Sequence, residues 1–250
     1  MPGSSVSVAN ANIVLNTAVA EELSKMHAKL TDCPDGDSRE RIMDVLKEEF
    51  LAHKRVLFNG NGYTEEWIQE AEKRGLPNLK SLPDAMPYWI SEESIALFEK
   101  HHILTQDEIY SRYEILLENY AKSIHIESLT MQEMVRKDLA EGMIAYQKDL
   151  TDEIAGKISV LGGTGCALER HILQTLDEAS AGISKALVKL NEDTKKAEEM
   201  NDVFEMADYY HKIVLTDMDE LRQYADQAEA MIPEKYLSYP TYEQMLFSLR

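Results

Sequence analysis

Glycine, proline and cysteine are all scarce in this sequence. Its 250 residues include 11 glycines and 7 prolines, both below the usual share of globular proteins, and this disfavours turn-rich sandwiches and barrels. The two cysteines, Cys33 and Cys166, lie far apart, whereas a secreted domain held by disulfides uses more of them. We therefore expect a helix-rich protein of a reducing compartment, the cytoplasm.

Positive charge is also scarce, and long apolar runs are missing. The 26 Lys and Arg residues are outnumbered by 45 Asp and Glu residues, which gives a formal net charge of −19. Such a surface repels phosphate groups, so neither nucleic acid nor an anionic membrane is expected as a partner. No stretch approaches the ~20 apolar residues of a membrane-spanning helix. The first residues lack the basic and apolar segments of a signal peptide.

The residues that are present favour helices. Apolar side chains recur at intervals of three or four residues, which is the spacing of one helix face. This spacing predicts a helix over residues 13–30 capped by Asn12, and a second one from the Cys33–Asp37 turn to about residue 56. Shorter helices are predicted to begin after Thr64 and Ser91. The apolar positions of the first two helices are Leu15, Val19, Leu23, Met26, Leu30, Ile42, Val45, Leu46 and Phe50.

A much longer helix is predicted in the middle of the chain. Thr105 and Glu108 fit a capping box, and helical spacing continues from there to about residue 159. At 1.5 Å per residue, such a helix would span about 80 Å. The β-branched run Ser123–Ile126 is where a kink or an interruption would be expected. Two further helices, over residues 168–194 and 203–228, complete the pattern.

A glycine-rich turn separates the long helix from the last two. Leu161–Gly165 reads LGGTG, but a phosphate-binding loop needs a Gly-Lys-Ser/Thr run after it and a strand before it. Cys166 follows this turn and a helix precedes it, so we predict a plain connection between helices.

Together these elements predict an all-α fold, in which long antiparallel helices pack as a bundle without a substantial sheet. Pro77, Pro83 and Pro87 predict an extended, Pro-rich connector over residues 76–90, because proline lacks an N–H donor and restricts the residue before it. We expect three segments. Residues 1–58 hold the first helices, residues 59–104 a loop, short helices and the connector, and residues 105–250 the long-helix bundle.

One pair of residues matches a known metal-binding spacing. Glu99-x-x-His102 has the spacing of carboxylate-bridged di-iron bundles, where both side chains share a helix face. Asp208-x-x-His211 is a loose second copy, so a metal site formed by Glu99, His102, Asp208 and His211 is one hypothesis. The favoured alternative is that His101 and His102 are cations at a helix C-terminus. The residue pattern assigns no catalytic residue and no cofactor-binding residue.

Several runs of residues resemble type III glutamine synthetases. The matching runs appear in the same order as in that family, cover almost the whole chain and are strongest in residues 1–150. One departure is Asn10-Ala11, where family members often have Gly-Pro. The runs are Met1–Ser5, Asn12–Thr17, His53–Tyr63, Glu70–Asn78, Ser111–Tyr120 and Ile126–Met131.

The resemblance implies a parent enzyme that joins ammonia to glutamate, using ATP and Mg²⁺ or Mn²⁺, through a γ-glutamyl phosphate. It also implies a barrel-like catalytic domain whose metal-binding Glu and phosphate-facing Arg lie just before the Met-Pro-Gly-Ser run. No catalytic, cofactor-binding or metal-binding residue is therefore carried over onto this chain. The chain resembles the C-terminal part of such an enzyme, namely the end of the catalytic domain with its last helix, in residues 1–58, and a helical extension.

The resemblance implies partners rather than chemistry for this chain. The expected partners are the remaining glutamine synthetase domains and identical subunits in a ring-type homo-oligomer. The expected role is structural, without activity of the chain alone. Two alternatives stay open, namely an independent metal-binding bundle and a scaffolding module that binds a partner through residues 167–231.

Overall fold

The computed structural model describes residues 7–31, 38–163, 165–240 and 242–247. The segment Met1–Ser5, the turn Cys33–Asp37 and Thr164 of the glycine-rich turn lie outside the described residues. The α-helices are α1 Ala9–Thr31, α2 Ser38–Ala52, α3 Glu65–Lys73, α4 Leu82–Trp89, α5 Glu92–Lys100, α6 Gln106–Met134, α7 Ala140–Leu161, α8 Ala167–Glu198, α9 Val203–Tyr209, α10 Leu215–Glu229 and α11 Tyr242–Phe247.

The prediction of an all-α fold is confirmed, because no strand occurs in the described ranges. Short 3₁₀ helices cover Lys54–Val56 and Glu234–Tyr236, and π-helical turns cover Val135–Leu139 and Tyr210–Val214. None of the described helices is both long enough and apolar enough to cross a bilayer. The chain divides into two compact units, Met1–Tyr113 and Glu114–Arg250, and each is described by itself.

Polar side chains cap several helices of the first unit, although Thr64 makes no side-chain capping bond to α3. Ser91 Oγ accepts the Ser94 N–H at 3.2 Å, and the predicted capping box is present, with the Thr105 N–H 2.8 Å from Glu108 Oε2. The first helix begins earlier than predicted. Ser7 Oγ accepts the Ala9 N–H at 3.2 Å, so Asn12 lies inside α1 instead of capping it.

The Pro-rich segment is only partly extended. Residues 76–81 are without helix, as predicted, but α4 follows over Leu82–Trp89. Ser81 Oγ caps this helix by accepting the Asp84 N–H at 3.2 Å. Pro83 lies in the first turn, where an N–H has no partner inside the helix and its loss costs nothing. The prediction of an extended connector is therefore wrong for α4.

The core of the first unit lies where α1, α4, α5 and the start of α6 meet. Phe98, Leu104 and Ile109 are buried, and Ile13 and Trp89 pack against them. The Trp89 indole N–H donates to the Ile109 carbonyl at 3.2 Å, which satisfies the polar end of a half-buried aromatic side chain.

In the second unit, α8 and the α9–α10 segment form an antiparallel pair. Tyr209 bonds Asp193 near the connection between them, and Lys189 reaches Asp217 further along. Farther still from the connection, Gly182 of α8 lies against the Tyr224 ring. The fully buried side chains of this unit include Leu117, Leu176, Leu190, Val214 and Leu221.

The long central helix is continuous at the point where an interruption was expected. Residues 123–126 are regular α-helix within α6. The irregularity lies further on, at the π-helical turn Val135–Leu139, after which α7 continues to Leu161. Both Val135 and Leu139 are buried, so the wider turn keeps apolar side chains on the packed side of the helix.

A chain of hydrogen bonds, buried except at Arg136, joins α6 to α8. Arg136 donates to Gln132, Gln132 donates to Ser128 at 3.2 Å, and the hydroxyls of Ser128 and Thr194 lie 2.8 Å apart. Thr194 in turn donates to the Leu190 carbonyl at 2.6 Å. The bond between Ser128 and Thr194 crosses from α6 to α8, so this buried pair is satisfied only when the two helices align as they do here.

We predict that Thr194→Val destabilises the protein by about 1–3 kcal/mol, because it removes the acceptor of the buried Ser128 hydroxyl proton. Urea unfolding followed by circular dichroism measures this. Thr216→Val is the matched control, since the exposed Thr216 hydroxyl also bonds the carbonyl four residues earlier. We expect it to change the free energy of unfolding by less than about 0.5 kcal/mol. Equal losses in both variants would contradict the prediction.

Two glycines of α7 give a second comparison. A Cβ at Gly142 would overlap the Tyr236 carbonyl oxygen, whereas a Cβ at Gly156 would meet nothing within 4 Å. We predict that Gly142→Ala lowers the free energy of unfolding by about 1–3 kcal/mol through overpacking. Gly156→Ala should instead raise it by about 0.5–1 kcal/mol through helix propensity. A gain in both variants would show that residues 234–236 do not pack on α7.

Candidate functional site

The predicted apolar stripe of α1 does not face the core of its unit. Leu15, Val19 and Leu23 are 57–63% exposed. At 100° per residue, these side chains occupy an arc of about 80° on one side of the helix. The helix buries a different side, where Thr17 is 3% exposed and Ile13 packs on the core.

The second helix repeats this arrangement. Ile42, Met43, Leu46 and Phe50 are 43–61% exposed and fall within an arc of about 100°. Val45, on another side of the helix, is buried. Exposed apolar surfaces of this kind mark sites of interaction with another protein surface. We call these two sets, Leu15, Val19 and Leu23 with Ile42, Met43, Leu46 and Phe50, the apolar stripes of α1 and α2.

Ion pairs hold α1 in place within the unit. Glu21 accepts from Lys100 Nζ and lies near His101 Nε2, each at 2.7 Å, which links α1 to the C-terminal end of α5. Lys29 donates to Glu49 at 2.6 Å and so links α1 to α2. The hydrogen bonds from Lys100 and then His101 lower the pKa of Glu21 to about 2.

The Glu21 contact makes stability depend on pH. Since the pKa of Glu21 is about 2 in the folded chain against an ordinary 4.5, its contribution is complete above about pH 4.5 and is lost as the pH falls towards 2. We predict that Glu21→Gln lowers the melting temperature at pH 7, and that this difference shrinks between pH 5 and pH 3. Glu22→Gln, which removes a pair within α1, is the control. A difference that stays constant with pH would contradict the prediction.

Glu99 and His102 lie at the connection from α5 to α6. Glu99 Oε1 accepts the Gln106 N–H at 3.1 Å and so helps to cap α6. His102 has a left-handed backbone with φ of 53° directly after α5. His101 is the C-terminal cap of α5 and contacts Glu21. A helix C-terminus is where the alternative interpretation of the sequence places this histidine.

Asp208 and His211 lie at the second π-helical turn. Asp208 pairs with Lys212 at 2.8 Å, and His211 Nδ1 lies 3.0 Å from the Tyr120 hydroxyl. Glu99 and His102 belong to the first unit, whereas Asp208 and His211 belong to the second. Each of the two pairs is therefore described within its own unit, and a joint metal site stays a hypothesis.

The structure brings together one group of metal-ligating side chains that sequence reasoning missed. Ligand atoms of Glu22, Glu49 and His53 lie within 4.8 Å of one another, so these residues could hold a divalent cation. Lys25 and Lys29 already neutralise the two carboxylates. The Glu49–His53 spacing of four residues is a signal in the sequence, but Glu22 joins them only through the packing of α1 on α2.

Two further sequence features have structural explanations. Gly162 adopts a left-handed conformation with φ of 70° and its N–H bonds the Ile158 carbonyl, so it ends α7 as a helix cap. This agrees with the prediction that the glycine-rich segment is a plain connection between helices. His125 lies between the Tyr210 hydroxyl, at 3.0 Å, and Glu198, at 3.2 Å. Burial raises the pKa of Tyr210 to about 12, so its hydroxyl stays protonated.

Comparison with known proteins identifies related sequences. Residues 41–157 match the family described as the glutamine synthetase C-terminal domain. A glutamine synthetase of Butyrivibrio fibrisolvens is 66% identical over 230 residues, which are 92% of this chain and 33% of that protein. A type-3 glutamine synthetase of Dictyostelium discoideum is 31% identical over 94% of this chain and 33% of its own length.

A third relative extends the range of divergence. A glutamine synthetase of Bacteroides fragilis is 27% identical over 98% of this chain and 35% of its own length. The chain thus spans about a third of the length of the curated relatives that it matches.

Proposed function

We propose a structural role for this chain, which belongs to the glutamine synthetase family as the counterpart of that family's C-terminal region. In this proposal the chain docks on the part of the enzyme that precedes this region in its relatives, and the assembled protein is a type III enzyme. The type is supported by the relative named as type-3. In this proposal the ligase activity belongs to the assembled enzyme, in which the chain is docked on that preceding part.

The observation that carries the proposal is the exposure of the apolar stripes of α1 and α2. A stripe such as Leu15, Val19 and Leu23, more than half exposed, is unfavourable in water and is stabilised when another surface covers it. About two thirds of each matched relative lies outside the part that aligns with this chain. That remaining part is the occupant we propose for the stripes.

We propose that the activity of the assembled enzyme is the ATP-dependent ligation of ammonia to glutamate, with Mg²⁺ or Mn²⁺ as the metal. We assign none of its catalytic or nucleotide-binding residues to this chain. The metal-ligating group that the described ranges bring together, Glu22, Glu49 and His53, is already paired with lysines. Such a group does not fit a catalytic metal site, and we derive no catalytic step from it.

We further propose that identical subunits of the assembled enzyme form a ring in the cytoplasm, as the resemblance to this family implies. The strong negative charge of the chain, −19, favours partners other than nucleic acid and anionic membranes. Long helices that present apolar and polar faces are suited to contacts between subunits.

We predict that the 250-residue chain alone forms no glutamine from glutamate, ammonia and ATP. For the second part of the test, the segment that corresponds to this chain is removed from the Butyrivibrio fibrisolvens enzyme. The 250-residue chain should bind this shortened enzyme and restore its turnover. Binding is measured by size-exclusion chromatography with light scattering, and turnover by release of inorganic phosphate. Measurable turnover by the chain alone would overturn the proposal.

The docking surface is tested by charge substitutions. Leu23→Glu places a carboxylate in the apolar stripe of α1, and we expect it to weaken binding to the shortened enzyme at least about tenfold because that charge would be buried without a partner. Ser24→Glu adds the same charge to the exposed neighbour, about 100° further round the helix. We expect near-normal binding of that variant. Equal effects of the two substitutions would exclude the stripe as the docking surface.

A further inference from the structure

A groove in the second unit has the features of a ligand site. It lies between the end of α6 with its π-helical turn and the end of α10, and its cavity volume is about 420 Å³. Sites for small molecules typically enclose about 300–1,000 Å³ and are mainly apolar. The apolar lining is formed by Met131, Met134, Val135, Leu139 and Ala225.

The π-helical turn and the segment after α10 shape one end of this groove. Val135 and Leu139, the first and last residues of the turn, both belong to the lining. Ser238 donates to Asp138 of the same turn at 2.8 Å. This bond helps to hold the next residue, Tyr239, against the groove, where its hydroxyl donates to Glu229. The groove is therefore bounded by contacts from three separate segments.

The rim of the groove is acidic. It carries the carboxylates of Glu127, Asp226 and Glu229 and a single cation, Arg222. Arg222 lies 3.4 Å from Asp226, and Glu229 accepts from Tyr239. Within the part of the chain that the structure describes, Glu127 has no hydrogen-bond or ion-pair partner. The rim thus offers one uncommitted negative charge beside an apolar cavity.

We propose that this groove binds a compact organic cation with an apolar body. The cationic group lies at the Glu127 carboxylate, and the hydrocarbon part covers the side chains of Met131, Met134 and Val135. A neutral ligand would gain the apolar contacts but not the charge pairing, and an anion would meet three carboxylates. This site is separate from the apolar stripes of α1 and α2 and does not depend on the proposed docking.

The test compares three probes of equal chain length on the full 250-residue chain: n-hexylammonium, n-hexanol and hexanoate. Isothermal titration calorimetry gives the affinities, and ¹H–¹³C spectra of the methionine methyl groups report on Met131 and Met134. We expect saturable binding in the order ammonium, alcohol, carboxylate, with the ammonium at least about fivefold tighter than the alcohol. Absence of saturable binding, or equal binding of ammonium and alcohol, would overturn the proposal.

Two variants test whether the tighter binding of the ammonium probe arises at Glu127. Glu127→Gln should reduce the affinity for hexylammonium to that for hexanol and leave hexanol binding unchanged. Glu114→Gln is the matched control, because it removes the same charge from an exposed position about 20 Å away on α6. Equal weakening by both variants would mean that only the net charge acts, and would contradict a site at Glu127.

A third variant tests the cavity itself. Thr130→Trp introduces a large side chain at an exposed position of the lining, where folding should tolerate it. We expect binding of both hexylammonium and hexanol to be lost while the circular dichroism spectrum is unchanged. Unchanged binding in this variant, or light scattering that shows two copies associating through the groove in place of probe binding, would overturn the proposal.

Discussion

The second unit depends on the close antiparallel approach of α8 to the α9–α10 segment. Small residues make this approach possible: Gly182 has no side chain where the Tyr224 ring lies, and Ala179 and Ala228 are fully buried. The approach also buries Asp217, whose Oδ1 accepts from Lys189 at 2.8 Å. Burial raises the pKa of Asp217, which means that its charged form is disfavoured. Lys189 reaches this carboxyl from the neighbouring helix and offsets that cost.

Against this pair, α6 is aligned by polar groups as much as by apolar ones. Apolar side chains allow many alignments of two helices, whereas the bond between Ser128 and Thr194 is made in one. The π-helical turn then carries the helix on into α7 with Val135 and Leu139 still buried. Val135 and Leu139 of the same turn also line the groove beside α10, where the ligand site is proposed.

The first unit is built differently, because much of its apolar surface has no cover. Its core around Phe98 and Ile109 is small, while the apolar stripes of α1 and α2 are exposed. A helix pair with this much exposed apolar surface is stabilised by a further surface packed on it. That need agrees with a chain that spans about a third of the length of its relatives, and it explains why the proposed role is assembly rather than catalysis.

The sequence by itself determined the helices, most of their ends and the acidic character of the chain. Caps such as Thr105 with Glu108, and the helix-ending Gly162, act within a few residues and can be recognised locally. The helix over residues 82–89 is hidden in the sequence because proline usually interrupts a helix, whereas Pro83 lies in the first turn, where proline is well suited. Only the tertiary structure decided that Leu15 and Leu23 face outward, that the long helix changes at residues 135–139, and that Glu22 meets Glu49 and His53. The physical reason is that helical spacing defines an apolar face, whereas the partner of that face comes from contacts between residues far apart in the chain.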